Sequence, residues 1–418
     1  MNKRIFDIDR WHEIVVTLSG NKTRSALTAF GVFWGVFMLV TLIGGSRGMK
    51  SMMDSNFEGF ATNAAVFFPA PTSEPYKGFK EGRTYKLNLD DVGRIRRMAS
   101  NVATATPVLS QWGVKAEAGT NSTLCEFKGL TPEYEKIEAQ NIGRGRFINE
   151  MDLRNKRKVC VLGKQICDRL FPDISQAVGS YVKVLGSYYK VVGVNVEESN
   201  MNTHGSSGGT IMIPQTTMRE VLNRGKEVDM ICVTAVPGKT MTDDAQPQVQ
   251  AIIKKAHYIA PYDDQAVSVV NTEAMFTMMD SMFEGIAILT FVVGLGTLLA
   301  GIIGVSNIMM VTVKERTTEI GIRRAIGATP GDILGQILSE SILLTISSGM
   351  FGILFSIFVL EMAERGINYG MKIHATFQVG PLTALAAMIF VIILGSVAGL
   401  APAYRAMSIK PVDAMRDE

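Results

Sequence analysis

Charge is scarce in this sequence, and what there is nearly cancels. Only 19% of the 418 residues are Asp, Glu, Lys or Arg, against ~25% in an ordinary soluble protein. The 42 basic residues face 39 acidic ones, a net charge of +3 that is too small to mark a nucleic-acid binder. Cysteine and histidine are rarer, with four of each. That excludes a disulfide-dense mini-scaffold, and no CxxC or clustered-His spacing points to zinc. Catalytic signatures are missing as well: there is no GxSxG elbow, no HExxH and no P-loop. Gly45-Ser46-Arg47-Gly48-Met49-Lys50-Ser51 approaches the last, but Met49 stands where glycine is required.

What the sequence does have is long uncharged stretches. No charged residue lies in Ser25–Ser46, Gly285–Val313 or Ile373–Tyr404, and Ile333–Leu360 carries only Glu340. Crossing a bilayer takes ~20 helical residues, and a soluble helix of that length would show a polar face. Four transmembrane helices are expected, at 25–46, 284–312, 332–360 and 381–403. The first is an uncleaved anchor, because it follows a mixed segment and Ser46-Arg47-Gly48-Met49 is a poor cleavage site. Lys3, Arg4, Arg10, Lys22 and Arg24 precede it. Lys314, Arg316, Arg323 and Arg324 separate the second and third helices, and Arg405, Lys410 and Arg416 follow the fourth. The positive-inside rule puts 1–24, 313–331 and 404–418 in the cytoplasm, with 47–283 and the short connection 361–380 outside.

The 47–283 stretch reads as a folded α/β domain. Lys158–Gly163 is a strand pattern, and Tyr181–Leu185, Gly186-Ser187 and Tyr188–Val194 form a hairpin pattern. Leu89–Met98 and Gly163–Phe171 read as short helices, and Glu197–Thr210, with His204, as a loop. Both ends are methionine-rich. Met52-Met53-Asp54-Ser55 is echoed by Met278-Met279-Asp280-Ser281-Met282, which suggests two antiparallel stalk helices. The plain reading of the methionines is adaptable packing. A soft-metal Cu(I) site and a pliable contact surface are the alternatives. Cys125, Cys160, Cys167 and Cys232 all lie in this domain. Disulfides are permitted there, though strand and helix positions suit buried thiols equally. Glu340 is either a functional site within the membrane or a side chain that makes an interhelical hydrogen bond or snorkels to the interface.

The most informative segment lies between the second and third runs. Glu319 and Arg323 are spaced i,i+4, Ile322 and Ile326 share a face, Gly327 can end a helix, and Pro330 bars its simple continuation. The segment is a short amphipathic helix: either an interfacial loop with solvated charges or a docking element for a soluble partner.

Asn307–Ala328 (NIMMVTVKERTTEIGIRRAIGA) resembles, almost letter for letter, the signature of MacB/FtsX-like permeases of ABC transporters, the type VII or mechanotransmission family. The tail Gly399–Ala406 with Lys410–Arg416, the approach Asn21–Thr28, and Leu87–Val92, Gly143–Phe147, Val159–Phe171 and Val191–Val194 resemble that family too. The resemblance implies an α-helical membrane protein with four transmembrane helices and a large α/β extracytoplasmic domain between the first and second, its distal subdomain at about 120–205. It implies a non-enzymatic permease subunit that works as a homodimer or heterodimer in a bacterial inner membrane. ATP and Mg would be held by a partner ABC ATPase, and this chain would hold no cofactor. Glu315, Arg316, Glu319, Arg323 and Arg324 would face that ATPase, and Met52, Met53, Met278, Met279 and Met282 would form the stalk. The implied function is export of antibiotics, peptides or lipids with a periplasmic adaptor and an outer-membrane channel. Lol-type lipoprotein release, or FtsX-like regulation of a cell-wall hydrolase, are the alternatives.

Overall fold

The computed structural model describes residues 22–56, 59–196, 207–371 and 376–409. The expected N-terminal segment with Lys3, Arg4 and Arg10, most of the Glu197–Thr210 loop, and the tail from Lys410 lie outside the described residues. The chain divides into a helical unit, the residues up to Ser55 together with Met282 onward, and a sheet-rich unit, Asn56–Ser281.

The sheet-rich unit contains twelve strands among its described residues. They are β1 (Ala64–Pro69), β2 (Leu87–Asn88), β3 (Val102–Ala118), β4 (Asn121–Leu130), β5 (Ile142–Gly145), β6 (Val159–Gly163), β7 (Tyr181–Val184), β8 (Ser187–Asn195), β9 (Thr210–Pro214), β10 (Glu227–Val228), β11 (Met230–Ala235) and β12 (Val267–Asn271). Between them lie the short helices α2 (Leu89–Met98), α3 (Glu150–Arg154), α4 (Lys164–Leu170), α5 (Ile174–Ala177), α6 (Gln215–Val221) and α7 (Gln246–Ala256). The main sheet runs β12-β1-β11-β3-β4-β9-β6-β8-β5, with β7 pairing β3 and β8.

The long β3 serves two lobes. Its first half pairs antiparallel with β11, from Met230↔Val108 to Ala235↔Val102. Its second half pairs with β4, from Leu109↔Gly129 to Ala118↔Asn121. The register slips between Gln111 and Val114, where Gly113 takes φ +65°, the left-handed geometry that a bulge assigns to glycine. One apolar core collects Phe67, Leu87, Ile95, Ile231 and Ile253. A second collects Leu109, Phe127, Leu162, Tyr189 and Ile211. A third, with Val108, Leu130, Val161 and Met230, is also buried in this unit. The hairpin and the α2 and α4 helices expected from the sequence are present. Asn88 and Asp91 close a capping box on α2, each satisfying an amide that would otherwise lack an acceptor.

All four cysteines are buried free thiols. Burial pushes Cys125 and Cys232 up to about 12 and Cys167 up to about 11, so at neutral pH they behave as small apolar side chains. The two ends of the unit are tied by Thr272, which is fully buried. Its Oγ1 accepts from the Ala64 amide at 3.1 Å and lies 2.6 Å from the Ala64 carbonyl and 2.9 Å from that of Ala61.

In the helical unit, α1 (Lys22–Asn56), α8 (Thr272–Glu315), α10 (Pro330–Met371) and α11 (Pro381–Met407) are each long and apolar enough to cross a membrane. The short helix α9 (Thr317–Ala325) lies between α8 and α10. α10 continues well past Leu360, so much of the connection expected at 361–380 is helix. The outward faces are apolar, with Leu289, Phe351 and Ile393 exposed, as suits a bundle whose surroundings are acyl chains. Inside, small residues and hydroxyls let backbones meet. A Cβ on Gly301 would stand 2.5 Å from the Gly31 carbonyl oxygen. Thr41 and Ser356 share a hydrogen bond of 2.9 Å, and Ser341 donates to the Gly395 carbonyl at 3.2 Å.

Candidate functional site

Among the described residues of the helical unit, the densest ionic cluster surrounds α9. Its local structure follows from sequence. α8 ends at Glu315, Arg316 departs from helical geometry (φ −98°, ψ 17°), and α9 begins at once. Gly327 takes φ +110° and the Ala328 amide donates to the Arg323 carbonyl at 3.0 Å, a Schellman ending that favours glycine. Thr329 then caps α10. Its amide donates to Asp332 Oδ2 at 3.1 Å and its Oγ1 accepts from the Asp332 amide at 3.3 Å, with Pro330 at the first helical position.

Four of the five expected partner-facing residues bond within the helical unit, and two of them, Arg316 and Arg324, turn inward to α10 and the end of α11. Arg316 makes a bidentate pair with Glu319, Nε to Oε2 at 2.7 Å and Nη2 to Oε1 at 2.8 Å. Its third nitrogen reaches Glu340 Oε1 on α10 at 3.3 Å. Arg323 Nη2 donates to Glu319 Oε1 at 2.9 Å, and its Nη1 donates to Gln336 Oε1 at 3.1 Å. Arg324 Nη1 donates to the Met407 carbonyl at 2.9 Å and to that of Ile409, satisfying two acceptors that the end of α11 leaves open. The bonds from Arg316 hold the Glu319 carboxyl below its usual range, against the opposing effect of burial. Glu340 is therefore the acceptor of an interhelical link, and Gln336, one turn earlier, likewise accepts from α9. Nothing in the sequence marked Gln336. Its i,i+4 spacing from the lone charge of an apolar run was the available signal.

The outward side of α9 is aliphatic. Ile320 is buried, while Ile322 and Ile326 are 46% and 83% exposed, with Ala325 exposed between them. Glu315 is exposed. The arrangement presents an apolar ridge on a helix that its own arginines brace to α10 and to the end of α11.

The methionine segments lie on helices that run unbroken past the apolar stretches. Met52 and Met53 are half-buried on α1, Met279 is half-buried on α8, and Met278 and Met282 on α8 are exposed, Met278 at 76%. Asn271, the last residue of β12, caps α8 directly, accepting from the Ala274 amide at 3.1 Å.

A family profile described as MacB-like periplasmic core domain matches residues 25–252, and one described as FtsX-like permease C-terminal matches residues 291–411. The chain is similar to a protein named macrolide export ATP-binding/permease protein MacB from Bdellovibrio bacteriovorus, 26% identical over 413 residues that make up 98% of this chain and 62% of that protein. It is also similar to the protein of that name from Neisseria gonorrhoeae, 27% identical over 416 residues, 98% of this chain and 61% of the other. The chain thus spans about three fifths of the length of these curated relatives. Among solved structures, the periplasmic region of MacB from Actinobacillus actinomycetemcomitans is similar at 18% identity and a TM-score of 0.43, covering 54% of this chain and 96% of that one.

Proposed function

This chain belongs to the MacB/FtsX-like permease family, and from that premise we propose that it is the membrane-spanning partner of a separate ABC ATPase, coupling ATP hydrolysis to movement of its sheet-rich domain. The observation that carries the reading is the ridge of Ile322, Ala325 and Ile326 on a helix tied by Arg316 and Arg324 to two membrane helices. A partner that grips the ridge moves both helices with it. The relatives' names join an ATP-binding part to a permease part, which supports an ATPase as the partner. On this reading Glu315, Glu319 and Arg323 border the docking surface, whereas Arg316 and Arg324 act by positioning α9.

The remaining parts follow from the same premise. Two copies of the permease assemble in the bacterial inner membrane with α9 in the cytoplasm and the sheet-rich domain in the periplasm. Met52, Met53, Met278, Met279 and Met282 mark the stalk, and movement along α1 and α8 drives a periplasmic step that exports antibiotics, peptides or lipids. A periplasmic adaptor and an outer-membrane channel complete the path.

The test is co-expression of the full chain with ABC ATPase subunits of the same cell and recovery in mild detergent. Wild type retains an ATPase. The double variant Ile322→Asp/Ile326→Asp loses about 2–4 kcal/mol of contact and the ATPase with it, while its own melting stays unchanged because both positions are exposed. An ATPase retained by that variant overturns the docking surface. Co-recovery of an adaptor and a channel supports export. A second permease with a lipoprotein, or a cell-wall hydrolase, replaces export by lipoprotein release or by signalling.

A further inference from the structure

The sheet-rich domain carries a second site that the coupling reading does not use. A cleft of about 590 Å³ opens between Tyr76 and Lys77 of the Thr72–Arg83 segment and the length of α7 with the turn that follows it, a size typical of small-molecule sites, roughly 300–1,000 Å³. Thr72–Arg83 is a finger. Tyr76 and Phe79 exchange backbone hydrogen bonds of 3.1 and 3.0 Å, which closes a two-residue turn with Lys77 and Gly78 both left-handed (φ 46° and 85°), the geometry of a tight hairpin.

Both walls are held in advance. Asp263 accepts from the Ser73 amide at 2.9 Å, the Ser73 hydroxyl at 2.8 Å and the Glu74 amide at 3.2 Å. Arg83 Nη2 donates to the carbonyls of His257 and Tyr258 at 2.5 and 3.3 Å, and its guanidinium stacks 4.1 Å from the Phe79 ring centre. A cleft fixed this way has little ordering left to do when a ligand arrives.

Tyr258 is the telling residue. The Ile259 amide donates to the Lys254 carbonyl at 2.9 Å, so α7 ends in a Schellman turn with Tyr258 in the left-handed position at φ 53°. Glycine is the favoured residue there, and a side chain costs roughly 1–2 kcal/mol. Yet the ring is 55% exposed and belongs to no apolar core. It stands at the mouth of the cleft, 6.4 Å from Phe79 between ring centres, and the Lys77 ammonium lies over both its ring and that of Tyr76, 5.6 and 5.5 Å from their centres. The strained turn thus holds an exposed ring at the cleft mouth, beside Phe79 and under the Lys77 ammonium.

The charge at the mouth is positive. Lys254 is occupied by Asp264 at 2.8 Å and the Pro261 carbonyl at 3.0 Å. Lys77 and Lys255, both exposed and both lining the cleft, form no ion pair with a carboxylate among the described residues. We propose that this cleft binds a small organic anion with a flat, apolar ring system, the anionic group meeting Lys255 and Lys77, whose ammonium the Tyr76 and Tyr258 rings hold at the mouth, and the ring system packing beside Tyr258. The inference concerns binding to the sheet-rich domain alone, so it stands or falls separately from the ATPase partnership.

The test uses the full chain in nanodiscs of zwitterionic lipid, with empty nanodiscs as blank, and two dyes that share a xanthene skeleton but differ in charge. Fluorescein is an anion and pyronin Y a cation. Fluorescence anisotropy is expected to show saturable fluorescein binding, about tenfold or more tighter than pyronin Y. Lys77→Glu/Lys255→Glu should abolish or invert that preference. Tyr258→Gly should weaken fluorescein by about tenfold while melting no lower than wild type, since it relieves the left-handed strain. Absence of fluorescein binding, equal binding of the two dyes, or fluorescein binding unchanged in either variant overturns the proposal. A Tyr258→Gly protein that melts lower would make Tyr258 structural and overturn it as well.

Discussion

Single side chains in this protein do their work by satisfying backbone groups at a distance. Asp263 is fully buried. Burial opposes its charge, but the Ser73 hydroxyl and the amides of Ser73, Ala266 and Glu74 outweigh that and hold its carboxyl below the usual range. A carboxyl lowered in the folded state stabilises above its unfolded value, about 3.9, and the contribution disappears as pH falls through the lower folded value. Asp263→Asn is expected to cost about 2–3 kcal/mol at neutral pH and to flatten the acid side of the profile. Hydrogen exchange at the Ser73, Glu74 and Ala266 amides, corrected for intrinsic rates, measures both. Arg324 is the counterpart in the helical unit. Arg324→Ala leaves the Met407 and Ile409 carbonyls open and should fray the end of α11 by about 1–2 kcal/mol, seen as faster exchange at Ser408 and Ile409. Arg323→Ala, which removes bonds to the Glu319 and Gln336 side chains, should leave those amides unchanged.

Elements differ in how openly the sequence declares them. The four long helices follow from uncharged length, α2 from its capping pair, and the β7–β8 hairpin from alternation around Gly186. β3 was hidden, because Pro107 and the Trp112-Gly113 bulge interrupt its alternation and its two partners lie on opposite sides in sequence. The inward turn of Arg316 and Arg324 was hidden for a similar reason. Spacing within α9 shows which residues share a face, but their acceptors are Glu340 and the carbonyls of Met407 and Ile409, whose nearness only tertiary packing creates. Helix contact is testable at glycine. Gly301→Val would drive a side chain into the Gly31 carbonyl, which is backbone and cannot rotate away, at a cost of about 1–3 kcal/mol. Gly304→Val, with nothing within 4 Å, should be tolerated. Thermal melting of the two variants in one detergent separates them.

At the scale of the whole molecule, the family and its plan were legible because the Asn307–Ala328 signature is long, whereas the finger and cleft were not. No local pattern announces that residues 72–83 meet the end of α7. The chain passes between its two units at the end of α1, which stops at Asn56, and through α8, which is one continuous helix across the Ser281–Met282 boundary. If movement is carried along α8, Ser281→Pro should interrupt it, because proline removes a helical hydrogen bond and kinks the rod at roughly 3 kcal/mol or more. The expected phenotype is a complex that still assembles and hydrolyses ATP but no longer exports. Export at the wild-type rate would exclude α8 as the carrier.

The buried thiols have a practical consequence for following such movement. A protein whose four cysteines are all withdrawn from solvent is spectroscopically blank on its outside without any being replaced. One new cysteine at exposed Met278 or Met282, labelled with a spin probe under native conditions, becomes the only reporter each copy carries. If two copies assemble with an ATPase as proposed, the separation between identical probes, recorded with and without nucleotide, reads any opening and closing directly as a distance.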